Sequence, residues 1–270
     1  ADLTGTGNIV SPGSFNVRAN NNITAKERVN LTTGGALSGA GAYSSITAPN
    51  DLAKIRFRNN SSVATAAPVH ISARGSGDIS SRVNAETYGA ATVATADTTA
   101  SIHPVNQVHF DNGSYLQSDQ DINIAAGTDV YFNRDNYKVE ATTDTFAGSA
   151  IPIESIDAGA TLAQTNVIEV GTNAVIESAR NIKLHTEKYG LADMTGKAKA
   201  VNWTTGIRDG LNSLLGGGGA EQYDGTIRSD ADGRVIVNGT LRTGTERHQS
   251  LSLDAWDRST GQITSSTSIN

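Results

Sequence analysis

Apolar residues recur at five fixed places in three gap-free stretches of the chain, 55–73, 108–126 and 168–186. In the first they are Ile55, Phe57, Val63, Val69 and Ile71. In the second they are Val108, Phe110, Leu116, Ile122 and Ile124, and in the third Ile168, Val170, Ile176, Ile182 and Leu184. The pairs Ile-x-Phe and Val-x-Ile alternate with a period of two, which puts both side chains of each pair on one face of a strand. Between the second and third places stand Asn59-Asn60-Ser61, Asn112-Gly113-Ser114 and Thr172-Asn173-Ala174. Asn and Gly tolerate the positive φ of a tight bend, so each is read as a corner. The pattern predicts parallel strands at 55–57, 63–65, 69–71 and at the matching residues of the other copies, with every repeated apolar side chain facing inward. One such unit cannot bury its apolar face alone. Units stacked about 4.8 Å apart would pair their backbones and make a continuous core. The fold class expected is all-β, a right-handed parallel β-helix or solenoid with long inserted strands and loops.

Weaker copies flank these three. Ile9, Val17 and Ile23 keep part of the spacing, giving a unit at about 9–33. Val235, Val237, Leu241, Leu251 and Leu253 resemble a further unit at about 225–255 with two extra residues. The chain is expected to form a single segment, 1–270. The inserts 74–107, 127–167 and 187–226 are expected to be extra strands along the stack plus exposed loops. Ile207, Leu211, Leu214 and Leu215 have helical spacing ahead of Gly216–Gly219, so 207–215 is read as a short helix, with a plain loop as the alternative.

Composition agrees with many short strands and tight corners. Aromatics are only 5% of residues while Gly numbers 28, and small aliphatic side chains suit a narrow core. A net charge of −6 without basic clusters argues against nucleic acid as the partner. The absence of cysteine rules out disulfides and thiolate metal sites. No run of apolar residues is long enough to span a membrane as a helix. The start, Ala1-Asp2-Leu3, reads as that of a processed protein or an excised piece.

Little in the sequence carries catalytic chemistry. Asp111, Asp119 and Asp121 are close in sequence, but the equivalent positions are Arg58, Ala66 and Pro68 in one copy and Gly171, Ala179 and Asn181 in the other. No carboxylate ladder of the kind that polysaccharide-cleaving β-helices use is expected, and these aspartates read as solvated turn residues. His70 and His109, each between two core positions, should face outward. Ser229-Asp230-Ala231-Asp232-Gly233 is half of a calcium loop, with Asp230 and Asp232 as weak candidate ligands; it lacks the downstream Glu, and an Asp/Gly turn is the plainer reading. No cofactor is expected. Aromatics outside the repeats gather in the inserts. Of these, Tyr131, Tyr137, Tyr189, Trp203 and Tyr223 are candidate binding-surface residues, the alternative being that they pack the inserts onto the stack.

The phrases Asp121-Ile122-Asn123-Ile124-Ala125-Ala126-Gly127 and Asn181-Ile182-Lys183-Leu184 resemble the steps of filamentous haemagglutinin-like adhesins. Their alternation with long Ala/Thr/Gly-rich inserts is similar to the leukotoxin-like filamentous adhesin branch. The resemblance implies a non-catalytic structural or adhesive segment of a large bacterial cell-surface or matrix protein. It also implies an extracellular location and, as partners, glycans or proteins of a host or neighbouring cell, or other copies of the chain. The long inserts depart from the uniform coils of such rods. Two other functions stay open: a polysaccharide-active β-helix enzyme of lyase or tailspike type, and a self-assembling extracellular filament subunit whose open ends stack.

Overall fold

In the computed structural model the described backbone covers residues 2–3, 6–9, 13–129, 131, 133, 135–149, 151–202, 221–244 and 250–269. It is all-β, with no helix among these residues. The strands in chain order are β1 (Asp2–Leu3), β2 (Thr6–Ile9), β3 (Phe15–Phe57), β4 (Ser62–Thr65), β5 (Val69–Phe110), β6 (Tyr115–Ser118) and β7 (Ile122–Ala126). They continue as β8 (Asn136–Ser149), β9 (Ile151–Val170), β10 (Val175–Ser178), β11 (Ile182–Asn202), β12 (Glu221–Val237), β13 (Thr240–Thr243) and β14 (Leu251–Ile269). The predicted helix at 207–215 lies outside the described residues.

Pairing is parallel throughout the described ladders, in a nine-stranded sheet and a five-stranded sheet. The small sheet runs β2–β4–β6–β10–β13, and it aligns Val63, Leu116, Ile176 and Leu241. In the large sheet Ile55, Val108, Ile168 and Val235 share a row, as do Val69, Ile122, Ile182 and Leu251. All nine predicted strand segments are thus strands, each stacked directly on its counterpart. The C-terminal copy also pairs at the positions its spacing indicated. The N-terminal copy does not: Phe15, not Ile23, stands beside Val69, and Val17 stands beside Ile71 while Gly7 takes the place beside Val63.

Where described, the inserts are mostly strand. Insert 74–107 continues β5 and 187–202 continues β11, whereas β8 lies wholly within the insert 127–167 and follows a loop. The long strands β3 and β5 pair from Phe15↔Val69 to Phe57↔Phe110 with one irregularity between Ala48 and Asp51. Alternation persists along them: Ile79, Val83 and Ala85 point inward while Ser80, Arg82, Asn84 and Glu86 do not. Buried apolar side chains form three clusters. The first holds the repeat rows, including Phe57 stacked on Phe110 at 4.4 Å. The second holds Ile79, Ile102, Tyr137, Val139 and Leu162, and the third Val83, Ala85 and Ala96. Fully burying one Ile or Phe is worth about 1.5–3 kcal/mol, so these rows supply the main stabilising term.

Corners repeat their chemistry as well as their position. At the first corner Asn60, Gly113 and Asn173 adopt φ of 57°, 69° and 59°, each at the middle of a turn closed by Ser61, Ser114 or Ala174. At the second, the hydroxyls of Thr65, Ser118 and Ser178 each accept the N–H two residues on, from Ala67, Gln120 and Arg180, at 3.0, 3.0 and 2.9 Å. Such local hydroxyl bonds divert the backbone from the ladder and end the strand. No helix of the described residues is long and apolar enough to cross a membrane.

Candidate functional site

Successive rows are 53 residues apart from Val69 to Ile122 but 60 apart from Ile122 to Ile182. The difference has one location. Ala73 to Ser76 advances three residues, whereas Ala126 to Asn136, paired to the same points, advances ten. The excess of seven falls in the 128–134 loop, whose described residues are Thr128, Asp129, Tyr131 and Asn133. Asp129 organises it. Its carboxylate accepts the backbone N–H of Tyr131 and of Asn133, both at 2.9 Å, and the Asn133 side-chain amide at 2.8 Å. The Arg74 guanidinium donates to the Asn133 carbonyl at 3.3 Å and lies 3.7 Å from Asp129. Burial pushes the Asp129 carboxyl up, but these bonds and Arg74 outweigh it and hold it below the usual carboxylate range.

The loop presents Tyr131, which is 62% exposed. The Arg18 guanidinium stands 5.9 Å from the centre of its ring, and the His70 ring 6.1 Å away. Burial, together with the nearby Arg18 charge, lowers the His70 pKa against an opposing pull from Asp121. Of the aromatic candidates read from sequence, Tyr131 alone is described as exposed. Tyr137 is only 1% exposed, so it is an interior residue and not part of a binding surface. It fills space left by two glycines: a Cβ on Gly75 would lie 1.9 Å from its hydroxyl, and one on Gly77 would lie 2.9 Å from its ring. Tyr189 and Tyr223 lie on β11 and β12, but their side chains, like Trp203 altogether, lie outside the described residues. Arg18, Arg74 and Asp129 were not singled out in the sequence, and His70 was read only as facing outward. The unequal 53- and 60-residue spacing was the signal that could have found their loop.

The segment with Asp230 and Asp232 is neither a calcium loop nor a turn. It is extended within β12, with Asp230 opposite Ala163 and Asp232 opposite Thr165, and Arg234 binds the Asp232 carboxylate. The Asp230 side chain lies outside the described residues. Among the described residues no three His, Asp or Glu side chains gather as a metal centre.

Asp111 is not a solvated turn residue either. It is 5% exposed and takes two bonds from the Arg56 Nε, at 2.8 and 2.9 Å. His109 stands between Asp111 and Glu169, at 2.9 Å from each, because Arg56, His109 and Glu169 share one outward row. Burial raises the Asp111 carboxyl, yet the Arg56 bond and charge, with His109 and Arg58, bring it below its ordinary value. Asp121 instead accepts the backbone and side-chain N–H of Asn181, at 3.1 and 2.9 Å. Asp111 and Asp121 are therefore engaged with different partners, Arg56 and Asn181.

A second cluster lies inside, where the first and second apolar clusters meet. Asp135 is 1% exposed. Its carboxyl accepts the Gly75 N–H at 2.9 Å, the Asn106 amide at 2.6 Å and the Gln164 amide at 2.7 Å. The same two amides donate to the Asn166 side-chain oxygen at 2.8 and 3.3 Å, and Asn166 donates to the Glu187 carbonyl at 2.7 Å. Burial pushes the Asp135 carboxyl up to about 8 against these bonds. The Tyr137 hydroxyl is pushed up by burial and by the charges of Asp135 and Asp51, and it lies beside Gly75, whose N–H bonds Asp135. Asp51, also raised by burial, is bonded by Asn21.

No family model, curated protein or solved structure matches the chain.

Proposed function

We propose that the chain is a right-handed parallel β-solenoid and a non-catalytic, extracellular segment of a bacterial surface adhesin of the filamentous haemagglutinin-like kind, contacting its partner through the 128–134 loop. The observation that carries this reading is the loop itself. The parallel passes pair row to row, and the one that begins at Ile122 carries seven residues between Ala126 and Asn136 that the passes on either side of it lack at that place. Those residues hold an exposed aromatic on a pre-formed turn beside Arg18 and Arg74. A rigid scaffold with an added ordered loop is a common way to place binding residues. Tyr is suited to such contacts because it offers a large amphipathic face at small entropic cost. The partner class is a cell-surface glycan or protein.

The test is adhesion of the purified chain to immobilised cell-surface material, with Tyr131→Ala and Arg18→Ser variants of unchanged melting temperature. The reading expects each variant to lose about tenfold or more in binding, as hot-spot truncation typically does. Binding equal to that of the unmodified chain would overturn it.

A second reading, a polysaccharide-active enzyme, draws on the Asp111–His109–Glu169 row. Incubation with acidic polysaccharides is expected to release no new chain ends. Turnover abolished by Asp111→Asn would put the enzyme reading first.

A further inference from the structure

The interior cluster poses a hydrogen-bonding problem that its own groups do not solve. Asp51 Oδ2, Asn106 Oδ1, Gln164 Oε1 and the Tyr137 hydroxyl are all buried and all lack a hydrogen-bond partner in the protein. A buried polar atom left so costs about 1–3 kcal/mol, and a buried charge more. All four are oxygens. The nitrogens of the same amides are fully employed, since Asn106 Nδ2 and Gln164 Nε2 both point at Asp135 and Asn166. Turning either amide over would set its oxygen against the Asp135 carboxylate and the Asn166 oxygen, so the carbonyl ends are held facing away from them. The Tyr137 hydroxyl brings one proton and can satisfy one of the others. Asp135 Oδ1 accepts a single N–H, from Gly75, and keeps a lone pair.

These oxygens come from separate passes. Asp51 belongs to β3, Asn106 to β5, and Asp135 and Tyr137 to the return from the 128–134 loop into β8. Gly75 supplies no side chain, and the Tyr137 hydroxyl occupies the place where one would be. Around Gly75 the pieces meet: its N–H bonds Asp135, to which the Asn106 amide also donates, and the backbone of Asn21, whose amide bonds Asp51, stands 3.3 Å from the place of a Gly75 Cβ. Two carboxylates, an amide oxygen and a phenol thus gather there from three passes, while the Arg74 guanidinium, whose charge acts on Asp135, bonds Asn133 and lies 3.7 Å from Asp129.

We propose that Asp51, Asn106, Tyr137 and Asp135 form an interior site for a hard divalent cation, calcium by ligand type. Calcium takes oxygen ligands, six to eight in number, from carboxylates, amide carbonyls and water in adaptable geometry. Magnesium demands a near-ideal octahedron and gives up water reluctantly, and transition metals favour the imidazole or thiolate that this set lacks. Bound there, the ion ties three passes together at the foot of the Tyr131 loop. The site is independent of what the surface binds.

The full chain, stripped with a chelator and dialysed, is melted with and without added calcium chloride. The expected result is a saturable rise of about 3–5 °C at millimolar calcium, the size that binding about 1–2 kcal/mol in excess gives a chain of this length. Terbium should bind in competition with calcium and luminesce on tyrosine excitation, and Tyr137→Phe should reduce that signal. Asp51→Asn, which keeps shape and removes one ligand charge, should weaken calcium at least about tenfold. No melting shift and no terbium signal would overturn the proposal in favour of buried water or a bound proton. A shift of equal size in Asp51→Asn would overturn it too, by placing the cation elsewhere on the chain.

Discussion

Asp111 and Asp135 are both aspartates withdrawn from water, and the two sites handle that burden in opposite ways. Asp111 lies at the first corner on the outward side. Arg56 from the previous pass reaches it with a guanidinium, and His109 stands alongside. Its charge is balanced and its carboxyl sits below the ordinary value. Asp135 lies inside. It is met by amides and a backbone N–H, with no guanidinium among the described residues bonded to it, and burial raises it against these bonds and the Arg74 charge. A parallel stack repeats each position at a short distance. On the outside, that repetition lets flexible charged residues of adjacent passes pair. On the inside, it aligns short side chains into rows, some apolar throughout, as at Val69, Ile122 and Ile182, and some mixed, as at Val83 and Thr143.

The contrast between inside and outside predicts the largest effect for a charge placed in an apolar row. Ile122 is fully buried between Val69 and Ile182, so Ile122→Asp should cost about 3–5 kcal/mol. Because each pass touches mainly its neighbours, the loss should be partly local and split the thermal melt into two transitions. Calorimetry would check both points, and a single unshifted transition would break the inside-outside assignment.

A smaller effect is expected at the outward acid. Arg56→Ala leaves Asp111 without its guanidinium and should cost about 1–3 kcal/mol at neutral pH. Asp111→Asn should cost about 1 kcal/mol there, because a neutral amide loses the charge-assisted bonds. The pH dependence has a definite sign. The folded carboxyl titrates below its unfolded value near 3.8, so its contribution is present above that pH and lost as pH falls through the lower folded value. Urea melts from pH 7 to pH 2 should therefore show the unmodified chain and Asp111→Asn converging on the acid side. A gap that stays constant would mean that Asp111 acts through shape rather than charge.

The smallest effects belong to exposed neighbours of buried residues. Asn123, next to Ile122 but facing out between His70 and Lys183, should tolerate Asp at under about 0.5 kcal/mol. Tyr131→Ala should likewise leave the melting temperature nearly unchanged, since its ring is mostly in solvent. A marked loss from Tyr131→Ala would recast the loop as packing rather than presentation.

The repeat rows were legible in the sequence because Ile, Val, Leu and Phe recur there with period two between Asn/Gly corners. The inserts were harder. Their inward positions are filled by Ala, Thr and Ser as often as by Ile or Val, so the alternation that pairs Ile79 with Val139 or Ala85 with Thr145 has little contrast. The N-terminal copy was misaligned for a related reason: Ile23 looks like a core position of the short strands but stands opposite Gly77 on a long one. Tyr137 stands among the binding-surface candidates, with packing onto the stack as the alternative, because an aromatic outside the repeats has no row to join. Its place depends on Gly75 and Gly77 in the pass before, a relation visible only once the register is known. Asp111 was misjudged likewise, since its partner Arg56 lies 55 positions earlier in the chain. The loop around Tyr131 announced itself only as the difference between two spacings.

The central claim is the parallel, in-register stacking of successive passes. The chain has no cysteine, so spin labels can be attached at chosen pairs of outward positions without background. Asn123 and Lys183 are direct neighbours across β7 and β11, and His70 lies one strand further on. With strands about 4.8 Å apart, labels at Asn123 and Lys183 should show strong dipolar broadening, and labels at His70 and Lys183 clearly weaker broadening at about twice that spacing. Strong broadening at the first pair with graded loss at the second is the predicted result. No broadening at Asn123 and Lys183, as an antiparallel sandwich or a shifted register would give, contradicts the account.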